Sequence, residues 1–408
     1  MSYPKLRNIE AFPIEYEGEK LVCLRDPTHL SDRPLFVKSS SVFLLSQLDG
    51  RQSTSDIQAA YTKQVGYAIP SEQIHDLIYQ LDEHLLLDSE HFRQRKKSIE
   101  DTFSRAECRQ AAHAGTAYEA EPLDLAAQIE RFFTEAIGPG SLQPVDSTAP
   151  VAALIAPHID FHRGGHCYAL SYQALKGSLD ADIYVILGIG HAGLQHSFTM
   201  TMKDFSTPFG VMKTERAFVE QVQAACPFDV MEDEFQHKNE HSVEFQIIFL
   251  QYLLQARSNA TIVPVLCGSF HEMIYSGKTP LKHPEVSGFI RALKDAIDTY
   301  GKRVCVIAGV DLAHVGMRFG DSEPLTEAFL DKVQQSDLQL LQHVENLDAE
   351  ALFHNLASTH DQYRVCGYPA IYTMLSVVNP RKGTLIQYDQ AADHATQQAV
   401  SFASMVFN

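Results

Sequence analysis

The sequence has few basic residues for its number of acidic ones, and this shortage restricts the classes of partner. Its 408 residues include 33 lysines and arginines against 51 aspartates and glutamates, which gives a formal net charge of −18. Nucleic acids are bound by a basic protein face, and anionic membrane surfaces attract basic segments. The charge therefore argues against both nucleic acid and membrane as partners.

The sequence also has no long apolar run and no regular spacing of cysteines. No run approaches the roughly 20 apolar residues that a transmembrane helix needs. The segment MSYPKLRNIEAF at the start contains no apolar core of a signal peptide. The seven cysteines are scattered and odd in number, unlike a disulfide framework or a CxxC zinc site. We therefore expect a protein of the reducing cytoplasm.

What the sequence does contain is a series of uninterrupted apolar runs, each ending in polar residues. The stretch VAALIAPHIDFHRGG at 151–165 is the clearest, because its apolar run is typical of a strand buried on both faces of a sheet. Strands are predicted at 151–156, 183–187, 261–266, 304–308, 384–388 and 400–406. Helical segments alternate with them. This alternation predicts an α/β domain over 149–408, with a mostly parallel or mixed central sheet flanked by helices.

The N-terminal part reads as a separate, smaller unit. Over residues 1–95, the pattern of two short strands, three short helices and a closing strand at 85–87 is typical of a winged-helix-like α+β domain. Residues 96–148 are expected to form a linker that contains an amphipathic helix.

A resemblance adds a candidate role for this N-terminal unit. The segment LLSQLDGR at 44–51, followed by Ile57 and the apolar pattern at 77–87, resembles the PqqD-like domains that bind peptides in peptide-modifying systems. The resemblance implies that a peptide adds a strand to an exposed sheet edge. A docking domain without a ligand is the alternative.

Four loops at predicted strand ends carry residues capable of chemistry: His158, His191, Asp311 with His314, and Cys366. Because the carboxyl ends of parallel strands share one edge of a sheet, we expect these side chains to converge. Two imidazoles and a thiolate suit iron, zinc or copper, and three protein ligands leave a position open. Cys366 precedes a helix, whose N-terminus is expected to lower the pKa of the thiol.

A fifth stretch, at 233–251, places His241 before a helix and Glu244 three residues later. One interpretation is proton transfer or substrate orientation by this pair. The other is helix capping and pairing between side chains one turn apart.

The motifs together resemble a known family. They are APH at 156–158 with GG at 164–165, LG at 187–188 with His191, EHSVE at 240–244, DLAH at 311–314 and CG at 366–367. In this order and spacing they are similar to the Memo family, in its bacterial form named AmmeMemoRadiSam system protein B. That family is similar in fold to class III extradiol dioxygenases, which use non-haem iron.

The resemblance implies roles for the strand-end residues. His158, His191 and Cys366 fall at the metal-ligand positions, and Asp311 and His314 fall beside the metal, where the dioxygenases keep an acid/base histidine. The dioxygenases have a carboxylate where this chain has Cys366. Since a thiolate changes the redox potential and the metal preference, ring cleavage does not follow from the resemblance.

These observations favour a metal-dependent oxidoreductase in which Asp311 orients His314 and His314 moves protons, with His241 and Glu244 as further catalytic candidates. Fe(II) is the expected metal, with copper or zinc as alternatives. By resemblance, the partners are a radical-SAM enzyme and an AMMECR-type protein.

Three other functions stay open: a non-catalytic adaptor that binds metal and peptide, a hydrolase that uses a metal-activated water, and a cysteine nucleophile paired with His314.

Overall fold

A computed structural model describes most of the chain. The described residues are 3–16, 18–28, 30–31, 33–135, 137–140, 150–176, 179, 181–254 and 259–408. The chain divides into two compact units, Met1–Ala106 and Glu107–Asn408. The sequence predicts a Pro/Ser/Thr-rich loop before residue 151 and a helix over 242–255; residues 141–149 of that loop and residue 255 of that helix lie outside the described residues.

The first unit is the small α+β domain that the sequence predicts. Its elements are β1 (Glu10–Tyr16), β2 (Glu19–Arg25), β3 (Leu35–Lys38), α1 (Val42–Ser46), α2 (Thr54–Val65), α3 (Ser71–Glu83) and α4 (Glu90–Arg105). The strands form an antiparallel sheet in the order β1-β2-β3. The predicted closing strand at 85–87 is wrong: Leu85 has a φ of +57°, and Leu87 makes only a single bridge, to Leu6.

The second unit begins before the predicted boundary at residue 149. Its strands are β4 (Cys108–Arg109), β5 (Ala153–Ala156), β6 (Ile183–Ile189), β7 (Phe198–Met200), β8 (Asp204–Thr207), β9 (Gly210–Met212), β10 (Thr261–Cys267), β11 (Val304–Gly309), β12 (His314–Gly316), β13 (Gly383–Asp393) and β14 (Gln398–Phe407). Its helices are α5 (Pro122–Thr134), α6 (Phe161–Lys176), α7 (Arg216–Ala225), α8 (His241–Leu254), α9 (His271–Ser276), α10 (Pro284–Thr299), α11 (Glu327–Glu345), α12 (Ala349–Ser358) and α13 (Tyr368–Val377). The region predicted as a linker, 96–148, thus contributes most of α4 to the first unit, and β4 and α5 to the second.

The main sheet has a parallel centre and antiparallel edges, which confirms the predicted mixed α/β class. The order is β12-β14-β5-β11-β6-β10-β7, and β13 pairs with β14. The four central strands, β5, β11, β6 and β10, are parallel. Their carboxyl ends therefore lie along one edge of the sheet, and the site is built there.

Helices cover both faces of this sheet, and alternate residues of each central strand serve the two faces. In β5, for example, Ala153 and Ile155 pack into one apolar cluster, while Leu154 and Ala156 pack into the other. Because both faces are buried, the strand needs apolar residues at every position, and the uninterrupted run is the sequence signal of that burial. No helix in the described part of the chain has the length and apolar character needed to cross a bilayer.

Candidate metal centre

Three neighbouring strands each place a polar residue two positions beyond their last residue. His158 follows β5, Asp311 follows β11 and His191 follows β6. Since these strands are adjacent and parallel, the three side chains meet at one edge of the sheet. The rings of His158 and His191 are 4.9 Å apart between centroids, and an Asp311 carboxylate oxygen lies 3.6 Å from His158 Nε2.

A third imidazole joins this pair from the first residue of α8. The His241 ring lies 5.2 Å from the His158 ring and 4.9 Å from the His191 ring. One ligand nitrogen from each of the three histidines lies within 4.8 Å of the other two. The sequence places His241 among proton-transfer candidates, but the geometry places it where a metal ligand would be.

Two glycines allow α8 to begin this close to the sheet. A Cβ on Gly188, in β6, would lie 2.4 Å from Ser242 Oγ, and a Cβ on Gly309, in β11, would lie 2.7 Å from the Ser242 carbonyl oxygen. The Ser242 hydroxyl accepts the backbone N–H of Ile189 at 2.9 Å and so ties the helix start to the strand end. A larger residue at either glycine would clash with Ser242, next to His241, so the start of α8 would have to shift.

Each of the three rings has an oxygen acceptor at Nδ1. His158 Nδ1 lies 3.0 Å from the Gly309 carbonyl oxygen. His191 Nδ1 lies 3.1 Å from both Glu240 carboxylate oxygens, and His241 Nδ1 lies 3.2 Å from one of them. The hydrogen bonds at Nδ1 of His158 and His191, and the carboxylate close to Nδ1 of His241, favour the tautomer with the proton on that atom, so the Nε2 lone pair of each ring is available to a metal.

The environment keeps two of the rings neutral. Burial, with a contribution from neighbouring His191, lowers the pKa of His158 to about 3, and burial lowers the pKa of His241 well below its usual value. Burial acts in the same direction on His191, but the Glu240 carboxylate outweighs it and raises that pKa. The His191 side chain is 38% exposed, against 2% for His158, so the site is open to solvent on the His191 side.

Cys366 lies beside His158, and its protonation differs from the prediction. Its sulfur is 3.5 Å from His158 Nε2 and donates to the Asp311 carbonyl oxygen at 3.6 Å. The expected lowering of its pKa by a helix N-terminus is wrong, because burial and the Asp311 carboxylate raise the pKa of the thiol well above its usual value. A bound metal would have to displace the thiol proton before the sulfur could act as a ligand.

Asp311 and His314 lie near each other, but their hydrogen bonds go to other groups. One Asp311 carboxylate oxygen accepts the backbone N–H groups of His158 and Ile159 at 2.9 and 3.1 Å. Burial raises the pKa of Asp311 to about 6 against these bonds and against nearby His314. His314 Nδ1 instead lies 3.1 Å from the Leu312 carbonyl oxygen. Asp311 therefore fixes the loop that carries His158, rather than the ring of His314.

Glu244 belongs to a buried ion pair. Its carboxylate is bonded to Arg109 and to the Tyr118 hydroxyl, and it accepts the backbone N–H groups of Ala112 and His113, each at 3.1 Å. Arg109 and Glu244 have fully buried side chains. The structure thus places Glu244 in a clamp between α8 and the segment that begins with β4. The interpretation as helix capping and pairing one turn apart does not describe this placement, because every partner of the carboxylate lies in the segment from Arg109 to Tyr118.

Two residues of this region were not identified from the sequence. Glu240 contacts two of the three histidines, and its position immediately before His241 is a signal that was available. Arg109 is more than a hundred residues from each group that accepts a hydrogen bond from its guanidinium, so no local pattern indicates its role.

The donor groups fit a divalent transition-metal ion. Imidazole nitrogens, with a thiol beside them, are ligands that iron, copper and zinc accept. Burial alone would raise the pKa of Glu240, but His191, through its charge and its hydrogen bond, and the Ser242 N–H hold it well below its usual range. The buried carboxylates Glu240 and Asp311 thus both adjoin the histidine cluster, and a divalent cation would compensate their charge.

Comparisons with known proteins cover the second unit and, in one case, almost the whole chain. The sequence model of the family described as Memo-like protein matches residues 109–406. A MEMO1 family protein of Aquifex aeolicus strain VF5 is 30% identical over 408 residues, which is 99% of each chain. A MEMO1 family protein of Thermus thermophilus is 24% identical over 88% of this chain and 100% of its own length. One of Methanopyrus kandleri is 29% identical over 73% of this chain and 98% of its own length.

Proposed function

The chain belongs to the Memo family, and from that premise we propose that it is a metal-dependent oxidoreductase whose site is built on His158 and His191. The observation that carries the proposal is the cluster of three imidazoles whose ligand nitrogens all lie within 4.8 Å. Fe(II) is the metal that we propose, with copper as the alternative.

The third ligand of this site is either His241 or Cys366. His241 completes a set of three nitrogens, whereas Cys366 lies 3.5 Å from His158 Nε2 and offers a soft sulfur. Both sets share His158 and His191. The first suits borderline ions such as Fe(II) and zinc, and the second favours softer ions such as Cu(I).

Asp311 and His314, which lie beside the proposed metal ligands, have separate roles. A bound metal would supply Lewis acidity and a coordination position for dioxygen or a chelating substrate. Asp311 holds the backbone of His158 and Ile159 in place. His314, with Nδ1 held by the Leu312 carbonyl oxygen, presents Nε2 as the atom that takes up or releases a proton. Substrate enters on the exposed His191 side.

The test is elemental analysis of the full chain purified without added metal. We expect close to one metal ion per chain for the wild type and a loss of nearly all of it in His158→Ala, since His158 belongs to both ligand sets. His354→Ala is the matched control, because His354 is an exposed histidine on α12. Metal content that is unchanged by His158→Ala would refute the proposal.

A second candidate function is hydrolysis by a metal-activated water. The specific observation in its favour is the three-nitrogen set, because three histidines with one open position form a known type of catalytic zinc site. Zinc in the native site, together with loss of zinc on His241→Ala, would favour the hydrolase over the oxidoreductase.

We also propose that radical-SAM and AMMECR-type proteins are its partners, and that a peptide adds a strand to the N-terminal sheet. β1 and β3 are the edge strands of that sheet, and an edge strand offers unpaired N–H and C=O groups to an extended peptide. Co-purification of partners with the full chain, compared with residues 107–408, tests this. Retention of the same partners by the shorter chain would refute recruitment through the N-terminal unit.

A further inference from the structure

A single carboxylate adjoins two of the three clustered histidines. Both oxygens of Glu240 lie 3.1 Å from His191 Nδ1, and one lies 3.2 Å from His241 Nδ1. Glu240 also accepts the backbone N–H groups of His191 at 3.2 Å and of Ser242 at 2.9 Å. The residue is 7% exposed, so water competes little for these contacts.

The His191 and His241 rings are stacked, and Nδ1 of each ring lies beside the Glu240 carboxylate. The ring centroids are 4.9 Å apart and the ring planes are 16° apart. Since Nδ1 of each ring is at the same carboxylate, the two Nε2 atoms lie on the opposite side of their rings from Glu240. His158 lies in the same cluster, but its Nδ1 has a backbone carbonyl as its acceptor.

We propose that Glu240 is a positioning residue that fixes the tautomer and the orientation of His191 and His241 together. The carboxylate has only acceptor oxygens, so it hydrogen-bonds a proton on His191 Nδ1 and favours a proton on His241 Nδ1, 3.2 Å away. Both rings then present the unprotonated Nε2. This inference rests on the proposed metal site, and it adds that two ligand candidates depend on one side chain.

Arg109 holds the segment that carries Glu240. Its Nη2 donates to the Glu240 carbonyl oxygen at 2.9 Å and its Nε donates to the His237 carbonyl oxygen at 3.0 Å, while Nη1 is bonded to Glu244. The guanidinium therefore fixes the backbone on both sides of Lys238 and Asn239. With the backbone fixed, the Glu240 carboxylate lies beside Nδ1 of the two rings.

Glu240→Gln tests the proposal because an amide has one acceptor oxygen where the carboxylate has two. Both carboxylate oxygens lie 3.1 Å from His191 Nδ1, so the amide NH2 faces that ring as a donor in either orientation. This contact favours an unprotonated His191 Nδ1 and moves the proton of that ring to Nε2. One of the two rings would lose its ability to bind a metal through Nε2, although the fold and the side-chain volume hardly change.

The first measurement uses the metal-free full chain, labelled with 15N-histidine. Long-range 1H–15N correlation spectra report which nitrogen of each ring carries the proton. We expect the Nδ1–H form for both His191 and His241 in the wild type, and the Nε2–H form for one of them in Glu240→Gln. A role limited to capping α8 would leave both tautomers unchanged, and that result would overturn the proposal.

The second measurement is the affinity of the full chain for Co²⁺, by competition with a chromophoric chelator. We expect Glu240→Gln to weaken binding by roughly 10- to 100-fold, the usual cost of losing an outer-shell partner. Glu240→Asp, which keeps both acceptor oxygens, should restore the Nδ1–H tautomers and part of the affinity. Asp337→Asn, at a buried carboxylate outside the site, is the control and should bind Co²⁺ as the wild type does.

The outcomes separate the two proposals. If the wild type binds Co²⁺ tightly and Glu240→Gln binds it with the same affinity, the proposed role of Glu240 is wrong and the proposed metal site is unaffected. Absence of Co²⁺ binding by the wild type would overturn the proposed function, and the spectra of the metal-free chain would still decide whether Glu240 sets the tautomers.

Discussion

At the scale of single residues, the site offers two side chains of different softness beside the pair of His158 and His191. His241 contributes a borderline nitrogen, and Cys366 contributes a soft sulfur 3.5 Å from His158 Nε2. Because Cu(I) prefers thiolate, we expect Cys366→Ser to weaken Cu(I) binding far more than Co²⁺ binding. His241→Ala should do the reverse, and by more than the roughly 10- to 100-fold that an outer-shell partner costs.

The measurement is a pair of competition titrations, with Cu(I) and with Co²⁺, on both variants and the wild type. Equal losses for both ions in both variants would contradict the idea of two ligand sets and would indicate one site with four ligands. His354→Ala again controls for the loss of a histidine elsewhere.

The residues of this site differ in how far the sequence could predict them. The strand-end positions of His158, His191 and Asp311 follow from apolar runs that stop abruptly, and that signal is local. The position of His241 depends on contacts of Gly188 and Gly309 with α8. These contacts join residues that are far apart in the sequence, so no local sequence pattern predicts them. The high pKa of Cys366 is a product of burial in the folded chain, and the sequence shows only that a helix follows it.

At the scale of elements, the buried pair of Arg109 and Glu244 joins the segment after β4 to the start of α8. Removing the arginine would leave the Glu244 carboxylate in the interior with only the Tyr118 hydroxyl and two N–H groups. We expect Arg109→Met to lower the free energy of unfolding by about 3–5 kcal/mol. Urea denaturation of the full chain, followed by the transition of the second unit, measures this.

A double-variant cycle shows whether the cost comes from the unpaired charge. Arg109→Met with Glu244→Met should recover much of the loss, because no charge is then buried. Arg163→Met removes a pair with Asp160 whose side chains are 43% and 32% exposed, and it should cost no more than about 1 kcal/mol. A loss in Arg109→Met no larger than in Arg163→Met would contradict the expected role of the clamp.

Helix α11 carries a buried carboxylate that makes stability depend on pH. Burial raises the pKa of Asp337 to about 6 from the usual 3.8, against hydrogen bonds donated by Ser401 and Tyr388. Between these two pH values the folded chain holds more protons than the unfolded chain, so this group makes stability fall as pH rises. The shift of about two pKa units corresponds to roughly 3 kcal/mol.

Asp337→Asn removes this titration, which gives a testable difference. Relative to the wild type, we expect the variant to gain about 2–3 kcal/mol of stability between pH 4 and pH 7, as measured by urea denaturation across this range. Asp393→Asn serves as the comparison, because hydrogen bonds from Thr396 lower the pKa of that carboxyl from 3.8; its titration has the opposite sign and lies below pH 4, so stability between pH 4 and pH 7 should hardly change. A difference between Asp337→Asn and the wild type that does not change with pH would contradict the prediction.

The elements that the sequence predicted well are those whose burial is complete. The central strands β5, β6, β10 and β11 are found where the uninterrupted apolar runs place them. β1 was not predicted, because most of its residues are exposed and Pro13 interrupts it. The short strands β7 to β9 and β12 have three or four residues each, too few for a period to be recognised.

At the scale of the whole molecule, the chain has separate apolar cores in its two units. One core cluster lies entirely within residues 1–106, and the two large clusters that flank the main sheet lie within 107–408. A segment with its own core is expected to fold independently. The family match begins at residue 109, two residues after the boundary between the units.

Two truncated chains distinguish this boundary from the one that the sequence predicts. A chain that begins at residue 107 keeps Arg109, Tyr118 and α5, so we expect cooperative unfolding and the Co²⁺ affinity of the full chain. A chain that begins at residue 149 lacks the partners of Glu244 and uncovers the apolar residues Leu154 and Phe161, against which α5 and Tyr118 pack in the same cluster. It should therefore unfold at lower urea and bind Co²⁺ more weakly. Equal stability and affinity of the two chains would mean that residues 107–148 are a linker after all, because the clamp at Glu244 would then contribute nothing to the position of His241.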